Sequence, residues 1–411
     1  MVKNILNEGY YKNLELFSKG NNINIFSNKI KYIDLSMCAG SILLGHNHNI
    51  FKKSVKDFLK KKISNFAAPN IYAQKFSYNI KKVLPNTSGI IFCNSGTEAV
   101  IKSLRIARAL NNKKKIALVS GGWHGSVDQL LFKSGKNFKA ERLSSGLTAE
   151  FEKNIIIIPY NDINKTKDIL NKHKKNISCI IIEPIQGSLP YSEIKDYLKF
   201  LEKYAKINKI TLIFDEMITG LRTDCSSVQN LFSIKPDISI FGKCFGGGLP
   251  IGFISLSKKI RIKMENMKLK VFFGGTFSAN PINMYVGNEV LKYIISNKKK
   301  IFRKINDNAE FFTDSLNNFF SKKKMDLKVY RFKSMMRLVY SNQNLKDRYS
   351  RDFIEKNKSK SISNFKKYIK NKGIYLPSSG IIFFSYGHSA GNIRYLINIF
   401  KSGSLKFFYS K

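Results

Sequence analysis

The sequence predicts an α/β fold: a large domain with a mostly parallel sheet sandwiched by helices, then a smaller α+β C-terminal domain. Three observations predict it. Short apolar runs alternate with amphipathic helical patterns through the middle of the chain, as in sheets whose parallel strands are joined by crossover helices. Three of the predicted strands run into a charged residue, Glu183, Asp215 or Lys243. After Pro281 the texture changes to longer helical patterns and short strand-like pieces.

The elements follow in order. Residues 177–182, apolar but for Ser178, read as a buried strand covered on both faces. Ile194, Tyr197, Leu198, Leu201, Tyr204 and Ala205 then recur at helical spacing, and 210–214 is a second apolar strand. Together they make a βαβ crossover of the expected length. Residues 238–241 supply another strand, and 90–93 one more, ahead of a helix with Val100, Leu104 and Ala107 inward. Ligands of such sheets sit outside the carboxyl ends of the strands, so one crevice can collect Glu183, Asp215 and Lys243. Helices are expected over 282–296, 301–321 and 363–372, and short strands over 327–331 and 336–340. The expected organisation is an N-terminal arm over 1–45, a large domain over 46–280 and a small domain over 281–411.

A chain of 411 residues with 43% apolar residues can bury a large core. The longest aliphatic run, 155–158, is far too short to span a bilayer. Residues 1–8 show no apolar signal-peptide region, so a cytoplasmic protein with no membrane partner is expected. Five scattered cysteines without a C-x-x-C pair read as free thiols in a reducing compartment. The pair His46 and His48 lacks further ligands at metal spacing, so no metal is expected. The net charge of +43 comes with short, dispersed lysine runs that lack interleaved aromatics. It reads as solvated surface rather than a specific nucleic-acid footprint.

The chemistry is concentrated in two segments. Ile210-Thr-Leu-Ile-Phe-Asp215-Glu216 is an apolar strand ending in a carboxylate, and Pro236-Asp-Ile-Ser-Ile-Phe-Gly-Lys243-Cys-Phe-Gly-Gly-Gly248 sets one lysine between a strand and a triple glycine. A lysine after one strand and an aspartate after another is what pyridoxal 5'-phosphate chemistry requires. The amine condenses with the cofactor aldehyde, and the carboxylate keeps a proton on the pyridine nitrogen. Asn94-Ser95-Gly96-Thr97-Glu98-Ala99 places hydroxyls and free N–H groups at a helix start, which suits a phosphate or, equally, an ordinary helix cap. Trp123, the single tryptophan, sits among glycines and could stack on a flat ring or be a plain loop aromatic. Gln186 follows a strand and could be offered to a phenolic oxygen, and Gly274-Gly275-Thr276 offers a further hydroxyl.

Taken in order, these segments resemble the class III (fold type I) pyridoxal-phosphate-dependent aminotransferases, and within them the glutamate-1-semialdehyde 2,1-aminomutases. The resemblance rests on Leu44-Gly-His-Asn-His48, Asn94 to Ala99, Trp123-His-Gly125, Glu183-Pro-Ile-Gln-Gly187, Phe214-Asp-Glu-Met-Ile-Thr-Gly220, Gly242-Lys243, Gly246-Gly-Gly-Leu-Pro250 and Gly275-Thr-Phe-Ser-Ala-Asn-Pro281. It implies a fold type I transferase in which Lys243 carries the internal aldimine and shuttles the proton while Asp215 binds the pyridine nitrogen. It implies that Ser95, Gly96 and Thr97 hold the phosphate, joined by Thr276 from the other subunit of a homodimer. Trp123 would stack on the ring and Gln186 would sit near its hydroxyl. Glu98, Glu216 and Arg222 would buttress the site. The implied reaction moves an amino group from a small-molecule donor to a carbonyl acceptor through a pyridoxamine phosphate intermediate.

The substrate end departs from the aminomutase pattern. No arginine precedes Arg105, where the resemblance would place a carboxylate clamp, and Pro377-Ser-Ser-Gly-Ile-Ile-Phe-Phe384 carries no acid. Arg394 falls on an expected helix. A bidentate carboxylate grip is poorly replaced by a lone lysine. The expectation is therefore a biosynthetic aminotransferase with a different acceptor, with glutamate-1-semialdehyde 2,1-aminomutase as the alternative.

Overall fold

The computed structural model describes residues 15–28 and 30–409. The first fourteen residues of the expected N-terminal arm lie outside that range. Contacts divide the chain into two units, 53–186 with 192–298, and 1–52 with 187–191 and 299–411. The helix Pro281–Ser296 therefore groups with the first of these.

The first unit is built on a seven-stranded sheet. Its strands are β1 (Gly89–Cys93), β2 (Lys115–Val119), β3 (Ile155–Ile158), β4 (Ile177–Ile182), β5 (Thr211–Asp215), β6 (Ile238–Gly242) and β7 (Gly252–Leu256). Their order across the sheet is β1-β7-β6-β5-β4-β2-β3. Neighbours pair in parallel from β6 to β3, and β7 runs antiparallel to both β6 and β1. Every residue of β4, β5 and β6 is buried. That is why these strands read as mostly apolar runs, broken only by small polar residues such as Ser178, Thr211 and Ser239, until Asp215 ends β5. The crossover helix α2 (Lys195–Ile207) buries Tyr197, Leu198, Leu201, Tyr204 and Ala205, the face its spacing predicts.

Helix α1 (Gly96–Asn111) starts directly after β1. Ser95 caps it, its hydroxyl accepting from the Glu98 N–H at 3.2 Å, and Asn112 closes it in a left-handed conformation. Because β4, β5 and β6 are parallel neighbours, their carboxyl ends lie side by side, and Glu183, Asp215 and Lys243 lie at or just beyond those ends.

The second unit carries two small sheets and its own core. Lys19–Asn21, Asn24–Ser27 and Ile30–Asp34 pair antiparallel, and Ile374–Tyr375 adds in parallel from the far end of the chain. Lys328–Phe332, Met335–Val339 and Ile381–Phe383 form an antiparallel sheet. Phe312, Phe365, Phe384 and Phe400 are fully buried in its core. The helices Lys298–Lys322 and Ser359–Asn371 match the expected stretches, and Arg394 lies on the helix Ala390–Phe408.

Candidate active site

Lys243 follows β6 in a left-handed conformation (φ 45°) that a lysine adopts only at a cost of about 1 kcal/mol or more. The turn is tight because Gly242 leaves no room: a Cβ there would meet the Ile251 carbonyl oxygen at 2.5 Å and the Met217 methyl at 2.6 Å. Burial lowers the Lys243 amine, and Glu183 and Asp215 partly oppose the shift by favouring its charged form. Arg222, itself buried, donates to Cys244 Sγ at 3.8 Å and adds to the lowering.

Asp215 ends β5 and is 3% exposed. Its Oδ1 accepts the Met217 N–H at 3.1 Å, and its Oδ2 pairs with His124 Nδ1 at 2.7 Å. Glu183, just past β4, accepts the Trp123 N–H at 3.0 Å. Burial raises its carboxyl to about 7, and the nearby Asp215 adds to the rise. Glu216 faces the other way. Its carboxylate accepts from Thr219 Oγ1, Val228 N and Gln229 N at 2.8, 2.6 and 3.0 Å, so it ties the strand end to the helix Val228–Phe232.

The phosphate-type turn lies in the same neighbourhood. The Met217 methyl that crowds Gly242 also lies 2.8 Å from a Cβ built on Gly96. Thr97 Oγ1 accepts the Ser126 N–H at 3.2 Å, and a Cβ on Gly125 (φ 76°) would collide with the same hydroxyl. Gln186 Nε2 donates to the Ser120 carbonyl at 2.7 Å. Ser95, Gly96, Thr97, Trp123, Gln186, Asp215 and Lys243 thus come from separate stretches of chain into one region. Thr276 is exposed on the loop 267–280, and among the described residues it bonds to none of them.

Two participants escaped sequence reasoning. His124 stood in a quoted motif without a role, yet it is the partner of Asp215, and only its placement beside the single tryptophan hinted at this. Glu183 read as one more strand-end acid, although burial beside Asp215 raises its carboxyl to about 7.

The donor set fits pyridoxal phosphate. A left-handed lysine with a lowered pKa stands near a buried carboxylate. Glycines at 96 and 125 let the turn pack closely on Met217 and Thr97, where a Cβ would collide. His124 Nε2 and Gln186 Oε1 are buried with no hydrogen-bond partner, capacity that a polar ring can use.

A family model described as "Aminotransferase class-III" matches residues 14–384. The chain belongs to the class III aminotransferases, pyridoxal-phosphate-dependent enzymes of fold type I that act as aminotransferases or aminomutases. Two curated relatives are named glutamate-1-semialdehyde 2,1-aminomutase. The one from Thermosipho melanesiensis is 31% identical over 93% of this chain and 89% of its own length. The one from Methanocaldococcus jannaschii is 32% identical over 85% and 80%. Among solved structures, an omega-transaminase from Sphaerobacter thermophilus superposes with a TM-score of 0.88 at 20% identity, covering 96% of this chain and 91% of that one. A glutamate-1-semialdehyde aminomutase from Pseudomonas aeruginosa gives 0.85 at 14% identity over 95% and 87%. At these identities the structural likeness speaks to the fold alone. No helix among the described residues is long and apolar enough to cross a membrane.

Proposed function

We propose that this protein transfers an amino group from a small-molecule amine to a carbonyl acceptor, with Lys243 as the catalytic base. The observation that carries this is the meeting of a buried lysine of lowered pKa with Asp215 and Glu183 at adjacent parallel strand ends. When bound, pyridoxal phosphate takes up the electron pair released as the bond to the substrate's α-hydrogen breaks. Lys243 would hold the cofactor aldehyde until the substrate amine takes its place there, and the freed neutral amine would then accept that proton and return it. Burial, which lowers the pKa, favours the neutral amine that this role needs. Asp215, held by His124 and the Met217 N–H, would keep the proton on the ring nitrogen. Ser95, Gly96 and Thr97 would take the phosphate at the α1 N-terminus. Trp123 would stack on the ring and Gln186 would serve its hydroxyl.

The working unit in this reading is a homodimer, with Thr276 completing the neighbouring subunit's phosphate site. Support comes from the Thr276 loop, where Leu269, Phe272 and Phe277 are 90%, 78% and 58% exposed. We place the enzyme in a biosynthetic route in the cytoplasm.

The absence of arginine before Arg105 and of an acid over 377–384 favours an acceptor other than glutamate-1-semialdehyde. The names of the curated relatives favour the second reading, the 2,1-aminomutase itself. The test is direct. Protein purified with pyridoxal phosphate should show a visible absorbance band that each true amino donor bleaches and each true acceptor restores. A wild type that never takes up the cofactor sinks both readings. Conversion of glutamate-1-semialdehyde to 5-aminolevulinate with no external donor would establish the second over the first.

A further inference from the structure

Lys102 lies on the inward face of α1 among Ala99, Ser103 and Ile106, and is 6% exposed. Lysines that brush a core normally extend their ammonium to water; this one does not. Its Nζ makes no hydrogen bond. Around it stand the Glu98 carboxylate at 3.7 Å and the thiol of Cys93. A Cβ built on Gly275 would lie 3.8 Å from Lys102 Nζ and 2.5 Å from Ser278 Oγ, a second buried polar atom without a partner. The ammonium therefore sits beneath the loop that carries Thr276.

Glu98 explains why a buried cation is useful there. Its carboxylate reaches back to accept the Asn94 N–H at 3.2 Å, which places negative charge at the mouth of the Ser95–Thr97 turn. A dianionic phosphate entering that turn meets Glu98 as a like charge in a partly desolvated setting, where such repulsion is strong.

We propose that Lys102 is a positioning residue for the cofactor phosphate: its ammonium, beneath the Gly274–Ser278 loop, offsets Glu98 behind the Ser95–Thr97 turn. The proposal rests on the reading of Ser95–Thr97 as the phosphate cradle. Lys102 touches neither substrate nor the reacting carbon; it acts through Glu98.

The test compares two ligands on the full-length apoprotein. Pyridoxal phosphate and pyridoxal, which lacks the phosphate, are titrated separately, with quenching of the single tryptophan, Trp123, as the readout. Lys102→Met is expected to weaken pyridoxal phosphate about tenfold and to leave pyridoxal within about twofold. The double variant Glu98→Gln/Lys102→Met should recover most of the loss, because the uncompensated carboxylate is gone. Removing a hydrogen-bond-free buried ammonium should also leave the apoprotein melting temperature unchanged or raised. Should Lys102→Met fold poorly, Lys102→Gln is read in the same way. Equal weakening of both ligands, no change for pyridoxal phosphate, or no recovery in the double variant overturns the role of Lys102. Thr97→Val separates this from failure of the cradle. If Thr97→Val discriminates the two ligands and Lys102→Met does not, the cradle stands and Lys102 is idle; if neither discriminates, the cradle falls as well.

Discussion

Both units bury ionic groups, and they use them differently. In the sheet unit Lys243, Asp215, Glu183 and His124 stand at strand ends and on glycine-lined turns, with His124 Nε2 still uncommitted. In the other unit Arg337 and Arg351 close on the chain itself. Arg337 donates to the Ser379 carbonyl and to Glu355 Oε2, and Arg351 donates to the Ser188 carbonyl and to Asp352. The contrast lies in placement: one cluster stands at strand ends and turns, and the other holds loop carbonyls. Spare capacity is common to both, since Arg337 Nε and Glu355 Oε1 are also buried without a hydrogen-bond partner.

The sharpest break of this contrast is Lys243→Ala. Amino-transfer turnover should fall at least about a thousandfold, measured with the best donor and acceptor, while the melting temperature stays near wild type. Asp215→Asn preserves shape but removes the carboxylate that the proposed mechanism needs, and turnover should fall about a hundredfold or more. Arg337→Met is the matching lesion in the other unit. It leaves Glu355 buried with a weakened partner set and should cost about 3 kcal/mol in urea unfolding, with pyridoxal phosphate affinity of the folded protein unchanged. A drop in cofactor affinity there would erase the distinction between the two clusters.

The units should also answer pH in opposite senses. Burial raises Glu183 and Glu216 from 4.5 to about 7. A carboxyl raised on folding contributes stability that is complete below its unfolded value, here about 4.5, and is lost as pH rises through about 7. His388 in the other unit is buried and depressed from 6.5 to about 3. Its contribution is complete above about 6.5 and is lost as pH falls toward about 3. Calorimetric melting across pH should show Glu216→Gln flattening the decline between about pH 5 and 7. His388→Gln should flatten the acid side instead. The smallest effect belongs to the surface: glutamine at Lys298, Lys299 and Lys300 should change stability by less than about 0.5 kcal/mol.

How much was legible follows the same division. Strands β4, β5 and β6 could be read because burial on both faces writes itself as mostly apolar sequence, and the residues after them are where a parallel sheet collects ligands. The second unit was harder. Its helices showed their period, but its sheets join pieces far apart in the chain, such as Ile374–Tyr375 on Ile30–Asp34. Lys102 was invisible for another reason. Among 71 lysines and arginines it reads as surface. Its burial emerges only when a loop some 170 residues later folds over it, as Gly275 does.

The bond between His124 and Asp215 spans 91 residues of sequence. Thr97 and Gly125 must also meet before either can be mistaken for part of a pocket. A chain that stops before β5 has no Asp215 to hold His124, so this part of the site is complete only once most of the sheet has paired.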